Sequence, residues 1–228
     1  MPGIAAGARQ TGRVGIFAGR SACPPLLGVE RVDQGPNHDC ARFNTQVFEE
    51  LQARNDAPLV ILMARWYLTA EGYRAQNEGG KSALLAWAER PNNGPENPER
   101  NFEIFRQAIS DTVAAIHATG RQVIIFGGIP EIGWNVPRGI GDQLRWGKSL
   151  LSAPTIESIS SRHTRADTVL ADLADSTGLK FLPLAPLLCD PVCQTNIEGR
   201  PLYSDGDHLS RFGAVEVIKP LFPEHIWP

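Results

Sequence analysis

The chain has 228 residues, of which 42% are hydrophobic and 21% charged, and its formal net charge is −3. This length and apolar content suit one compact domain. The scattered Lys and Arg residues form no basic stripe, which argues against a nucleic-acid partner. No apolar run reaches the roughly 18 to 20 residues that span a bilayer, the longest being residues 58–64 (PLVILMA), and residues 1–9 lack the pattern of a signal peptide.

Taken in chain order, residues 13–18 (RVGIFA) form the first apolar run with strand character. Residues 40–54 follow as a helix with Phe43, Val47, Phe48 and Leu51 on one face. Residues 59–64 (LVILMA) predict a second strand. Phe102, Phe105, Ile109, Val113 and Ile116 recur at helical steps up to Gly120, where a helix should stop. Residues 122–126 (QVIIF) predict a strand, residues 155–176 a helix ending at Gly178, and residues 180–184 (KFLPL) a last strand.

The strand runs are continuously apolar rather than alternating, which implies burial on both faces of the sheet. Strands alternating with helices predict an α/β fold in which a parallel sheet is covered by helices and ligands sit beyond the carboxyl ends of the strands. Two stretches, about 67–100 and 129–152, are rich in Gly, Pro, Asn and Trp and read as long irregular insertions, which are more often functional than accidental.

Four cysteines fall into two local pairs, Cys23 with Cys40 and Cys189 with Cys193. Two short-range disulfides are expected, the alternative being four reduced thiols; neither spacing suits zinc. A Cys23–Cys40 bridge would close a loop of about 17 residues and contribute about 3 kcal/mol in the chain-entropy model. The histidines show no metal spacing, no Gly-x-Gly-x-x-Gly follows a strand, and neither a metal nor a cofactor is indicated.

The segment LYSDGDHLS (residues 202–210) carries Asp205-x-x-His208 ahead of a short C-terminal helix. A carboxylate three residues before an imidazole on a tight turn can accept its Nδ1 proton, leaving Nε2 to act as general base for a serine hydroxyl. Asp207 competes for the same role, but an adjacent side chain normally points away, so Asp205 is preferred. The alternative is a polar turn capping the last helix.

Together with SACPPL (residues 21–26), Ala64-Arg65-Trp66, PEIGW (residues 130–134), the Cys189 and Cys193 pair and Gly213-Ala214, this segment resembles the SGNH domain fused to the C-terminus of membrane acyltransferases of the acyltransferase-3 type, a group that includes O-antigen and other cell-surface polysaccharide acetylases. The resemblance spans nearly the whole chain. It implies a single SGNH-type domain with a flavodoxin-like three-layer α/β/α fold, an extracytoplasmic location beside a membrane acyltransferase domain, and acyl transfer to or from glycan hydroxyls. His208 and Asp205 match the family's general base and its orienting acid.

In the family, the nucleophile sits in a Gly-Asp-Ser-His motif after the first strand, and the sequence contains no such motif. The resemblance implies that this strand and its serine lie before Met1, so that the chain alone would be inactive and poorly stable. Ser21 is the alternative nucleophile, disfavoured by Pro24 and Pro25, which would prevent a supporting helix. The family's oxyanion-hole glycine and asparagine are also missing. Ala22 could donate its backbone N–H and Arg65 a positive charge, while Trp66 and Trp134 could stack on a sugar ring. Arg65 in a surface ion pair and Trp66 as core filling are the bland alternatives.

Overall fold

The apolar runs at residues 59–64, 122–126 and 180–184 become β2 (Leu59–Met63), β4 (Gln122–Phe126) and β5 (Lys180–Leu182), which form a parallel sheet in the order β2-β4-β5. Leu59 pairs with Gln122 and Met63 with Phe126, while Ile124 pairs with Lys180 and Phe126 with Leu182. β5 stops before Pro183, which has no N–H to contribute to a ladder. Val123, Ile125 and Phe126 are buried, as a sheet covered by helices requires.

The computed structural model describes residues 2–34, 38–74, 82–89 and 97–226. They divide into two compact units, one of Met1–Phe17, Ile129–Ser161 and Leu184–Pro228, the other of Ala18–Gly128 and Arg162–Pro183. The second unit holds the parallel sheet, β1 (Val29–Arg31) paired antiparallel with β3 (Leu85–Trp87), and the helices α2 (Cys40–Gln52), α3 (Trp66–Glu71) and α4 (Pro98–His117). Most of α6 (Ile156–Thr177) also belongs to it.

α4 shows why the periodic pattern could be read directly. Asn97 caps its N-terminus by accepting a hydrogen bond from the Arg100 N–H, Pro98 occupies the first turn, and Gly120 takes φ +77° just beyond its end. Ile104, Phe105, Ala108, Ile109, Val113 and Ile116 are buried, and they join Leu62, Trp66, Ile125 and Leu170 in one core. α2 is capped from outside its own sequence: Glu30 on β1 accepts hydrogen bonds from the N–H groups of Cys40 and Ala41 at 2.8 and 2.9 Å.

Asn101, with no exposed surface, ties this unit together. Its amide donates to the carbonyls of Thr69 and Ala70 at 2.9 and 2.8 Å and accepts from the Leu85 N–H at 2.8 Å. Arg121 does similar work at the sheet's entrance, donating to the carbonyls of Leu51, Arg54 and Ala57. It thereby pins the end of α2 and the loop that follows it to the start of β4.

In the first unit, α1 (Pro2–Gln10) lies against α8 (Arg211–Ile218) through Gly3 and against Phe222 of the final turn through Gly7. A Cβ on Gly3 would fall 1.9 Å from the Ala214 carbonyl oxygen and one on Gly7 2.2 Å from the Phe222 ring, so only glycine permits this approach. The same unit holds α5 (Val136–Trp146), α7 (Ala185–Leu188), a final turn at Phe222–Ile226 and the hairpin β6 (Asn196–Ile197) to β7 (Arg200–Pro201). Glu198 and Gly199 both have positive φ, 49° and 77°, as a tight two-residue hairpin turn demands.

Residues 13–18 differ from expectation. They form no strand, and Val14, Ile16 and Phe17 are 98%, 69% and 64% exposed. Apolar, β-prone composition becomes a strand only where a neighbouring strand takes up its backbone groups; among the described residues no strand pairs with this segment, and its Arg13 N–H instead donates to the Ala8 carbonyl at the end of α1. The two supposedly irregular stretches are also partly regular. Residues 67–100 contain most of α3, β3 and the start of α4, although 75–81 and 90–96 lie outside the described residues, and residues 129–152 contain α5.

Both disulfides form. Cys23 joins Cys40 with a Cα–Cα distance of 5.3 Å, and Cys189 joins Cys193 across 3.7 Å.

Candidate active site

The turn between Tyr203 and Leu209, which pair as an isolated bridge, presents Asp205, Asp207 and His208 in the first unit. Asp205 Oδ1 accepts from the N–H groups of Asp207 and His208 at 2.9 and 2.8 Å, closing the turn with its own side chain. Its second oxygen, Oδ2, lies 2.9 Å from His208 Nδ1. One carboxylate thus builds the turn and orients the imidazole.

Asp207 reaches the same nitrogen. Its Oδ1 is 2.8 Å from His208 Nδ1, and its side chain is only 11% exposed. The expectation that an adjacent side chain points away fails because Asp205 curls the backbone until residues 207 and 208 face one another. The hydrogen bond that His208 Nδ1–H donates to Asp207, reinforced by the negative charge of both carboxylates, outweighs desolvation and pushes the His208 pKa up to about 9.

Nδ1–H is therefore held by carboxylates, and Nε2 has no hydrogen-bond partner among the described residues. The His208 side chain is 64% exposed. An imidazole with its tautomer set from behind and its other nitrogen open is arranged to exchange a proton with an incoming hydroxyl.

The 130–134 segment joins this turn. The Ile132 N–H donates to the Gly206 carbonyl at 2.7 Å and the Val136 N–H to the Asp205 carbonyl at 3.0 Å. A Cβ on Gly206 would stand 3.0 Å from the Trp134 carbonyl oxygen, so residue 206 lies close under this strap. Trp134 is half-buried, and its indole N–H donates to Ser152 O at 3.3 Å. Of the two tryptophans proposed as sugar platforms, it is the one brought to the dyad.

Trp66 has no exposed surface, donates its indole N–H to the Phe126 carbonyl at 2.7 Å and packs against Phe105. Its ring is core, which removes it as a stacking surface. Ser21, Ala22 and Arg65 belong, like Trp66, to the second unit. Ser21 is exposed, and His38 Nε2 meets its carbonyl at 2.7 Å rather than its hydroxyl. No helix follows it.

Ala22 takes φ 59°, which costs an L-residue about 1 kcal/mol, and its N–H has no partner among the described residues. Arg65 leaves β2 with its guanidinium 5.8 Å from the Tyr67 ring centre. Tyr67 stacks on buried His163 at 4.1 Å, a pairing the periodic reading of α6 did not reveal; burial, with the nearby Arg162 charge, holds the His163 pKa down to about 4.

Asp205, Asp207 and His208 also place ligand atoms within 4.8 Å of one another, a set of donors that suits a divalent cation. A cation on Nδ1 would displace the proton that the two carboxylates hold. The sulfurs of Cys23 and Cys40, near His38, are committed to their disulfide.

No curated protein sequence matches the chain. Among solved structures, it resembles the periplasmic domain of a lipopolysaccharide acetyltransferase from Salmonella ser. Paratyphi A with a TM-score of 0.62 and 16% identity, over 99% of this chain and 78% of that one. It also resembles Est24, a carbohydrate acetylesterase from Sinorhizobium meliloti, with a TM-score of 0.53 and 16% identity, over 98% and 83% of the two chains. The model of the SGNH domain fused to AT3 domains matches residues 1–223, and the chain therefore belongs to the SGNH domain family.

Proposed function

We propose that this chain is the acyl-transfer domain of a cell-surface polysaccharide O-acyltransferase, with His208 as general base and Asp205, aided by Asp207, as its orienting acid. The observation that carries the reading is the imidazole whose Nδ1 is held by carboxylates at 2.9 and 2.8 Å while Nε2 stays open. Family membership supports it. So do the carbohydrate acetyl-ester activities named for the two structural neighbours.

The reaction runs in two halves. A serine Oγ attacks the acyl carbonyl as His208 Nε2 takes its proton, the tetrahedral intermediate collapses, and the leaving oxygen receives that proton. A glycan hydroxyl, or water in the esterase variant, then attacks the acyl-serine while His208 again accepts the proton, and the serine is restored. The serine belongs to a Gly-Asp-Ser type motif that this sequence does not contain. Two disulfides suit an oxidising, extracytoplasmic compartment, and the family's fusion to AT3 domains suits a membrane acyltransferase domain as partner.

The test is acetyl transfer, measured by release of p-nitrophenol from p-nitrophenyl acetate, in two polypeptides. One is residues 1–228 alone and the other is residues 1–228 with a strand carrying a Gly-Asp-Ser-His motif fused ahead of Met1. Activity confined to the longer polypeptide and abolished by His208→Ala supports the reading. His208-dependent activity in residues 1–228 would transfer the nucleophile's role to Ser21.

The second reading, favoured by the missing Gly-Asp-Ser motif, is a glycan-binding or docking module without turnover. It predicts glycan binding but no acetyl transfer in either polypeptide.

A further inference from the structure

Beside the catalytic turn, wholly within the first unit, lies an open groove of about 680 Å³. Its walls are the two stems of that turn: Arg200 and Pro201 of β7 on one side, Ser210 and the first turns of α8 on the other. The Ser210 N–H donates to the Leu202 carbonyl at 2.8 Å, which holds the stems together. Ser210 is two residues from His208, so their Cα atoms are at most about 7 Å apart.

Three features give the groove a chemistry. The Arg200 guanidinium lies 3.9 Å from the centre of the Phe212 ring, in van der Waals contact with its face. Stacking fixes the guanidinium and leaves its in-plane N–H donors uncommitted, and no acceptor meets them among the described residues. Arg211 adds a second cation. Glu216, the groove's one carboxylate, forms no ion pair with either arginine, so the lining carries a net positive charge.

We propose that this groove binds an acidic sugar residue of the acceptor polysaccharide, a uronate whose carboxylate is taken by the Arg200 fork. Arg211 adds to the same positive field, Glu216 accepts hydrogen bonds from sugar hydroxyls, and Pro201 and Val215 meet the ring's C–H face. A planar, pre-stacked guanidinium matches a carboxylate through two parallel hydrogen bonds, which a point charge does not reproduce. The proposal rests on the reading of the chain as acting on polysaccharide. It adds that the glycan is anionic beside the acylated sugar.

The experiment titrates ¹⁵N-labelled protein with tri-galacturonate, and in parallel with neutral maltotriose and with inorganic phosphate, following the Arg200 Nε–H resonance in the parent and the backbone amide resonances of the groove in the parent and every variant. Tri-galacturonate should shift that resonance, Arg200→Gln should weaken its binding about tenfold or more, and Arg200→Lys should recover only part of the loss. Equal binding of maltotriose, unchanged affinity in Arg200→Gln, or equal competition by inorganic phosphate would each overturn the assignment. His208→Ala should bind tri-galacturonate as the parent does. Loss of uronate binding therefore counts against the groove alone, and acetyl transfer that survives His208→Ala counts against the proposed function alone.

Discussion

Asp207 Oδ1 stands 2.8 Å from His208 Nδ1, as close as the Asp205 oxygen that the Asp-x-x-His spacing singles out. The imidazole is thus bracketed by two carboxylates of different exposure: the Asp205 side chain is 42% exposed and that of Asp207 11%. The more enclosed one governs its basicity, because a charge removed from water acts through less screening.

Asp207→Asn is expected to lower the His208 pKa further than Asp205→Asn does, since the Asp207 hydrogen bond is the leading cause of its rise to about 9. Titration of the His208 ring protons by NMR would read both values. A larger drop in Asp205→Asn would reverse this ranking.

Activity that uses His208 as a base requires its neutral form. With the pKa raised to about 9, the rate should climb through neutral pH and level off only above about 9. The same shift bears on stability. A histidine whose folded pKa is raised contributes fully below its unfolded pKa near 6.5, and that contribution is lost as pH rises through about 9. Asp207→Asn should shift the rate plateau to lower pH, as a rate profile of the active polypeptide would show.

His163 works in the opposite direction. Burial against Tyr67 holds its pKa down to about 4, so the folded state resists a proton that the unfolded chain accepts below about 6.5. Stability should fall between pH 6.5 and 4, by about 3 kcal/mol at the acid end. His163→Phe, which keeps a ring for Tyr67 to stack on, should flatten that decline in thermal melts recorded across the range.

Asn101→Ala removes one donor group and one acceptor from a site with no exposed surface and strands the Leu85 N–H and the Thr69 and Ala70 carbonyls. Unmet buried polar groups make this costly. A loss of about 3 kcal/mol is expected in denaturant unfolding, whereas exposed Gln107→Ala should change it by less than about 0.5 kcal/mol.

Replacing Cys23 and Cys40 with serine opens a loop of sequence separation 17. The double variant should lose about 3 kcal/mol, most of it through the freer unfolded chain. Parallel unfolding of the parent under reducing conditions should cost more than this, because the Cys189–Cys193 bridge opens as well.

The sequence by itself determined the elements whose signals are local. The helical repeat of Phe102 to Ile116 with its Gly120 stop, the uninterrupted apolar runs of β2 and β4, and the short-range cysteine pairs each carry their own cause, because side-chain period, backbone freedom and loop length are properties of neighbouring residues. The Asp205-x-x-His208 pair was legible for the same reason, since both partners lie on one turn.

Only the tertiary structure decided what those elements meet. Residues 13–18 have a strand's composition but no strand beside them among the described residues, and Trp66 became core through the Phe126 carbonyl 60 residues away. Asp207 turned toward His208 because Asp205 folds the chain between them, and Arg200 came to rest on Phe212 because β7 runs beside α8. Each outcome depends on a partner supplied by distant chain or by the curvature of a turn, and composition and spacing encode neither.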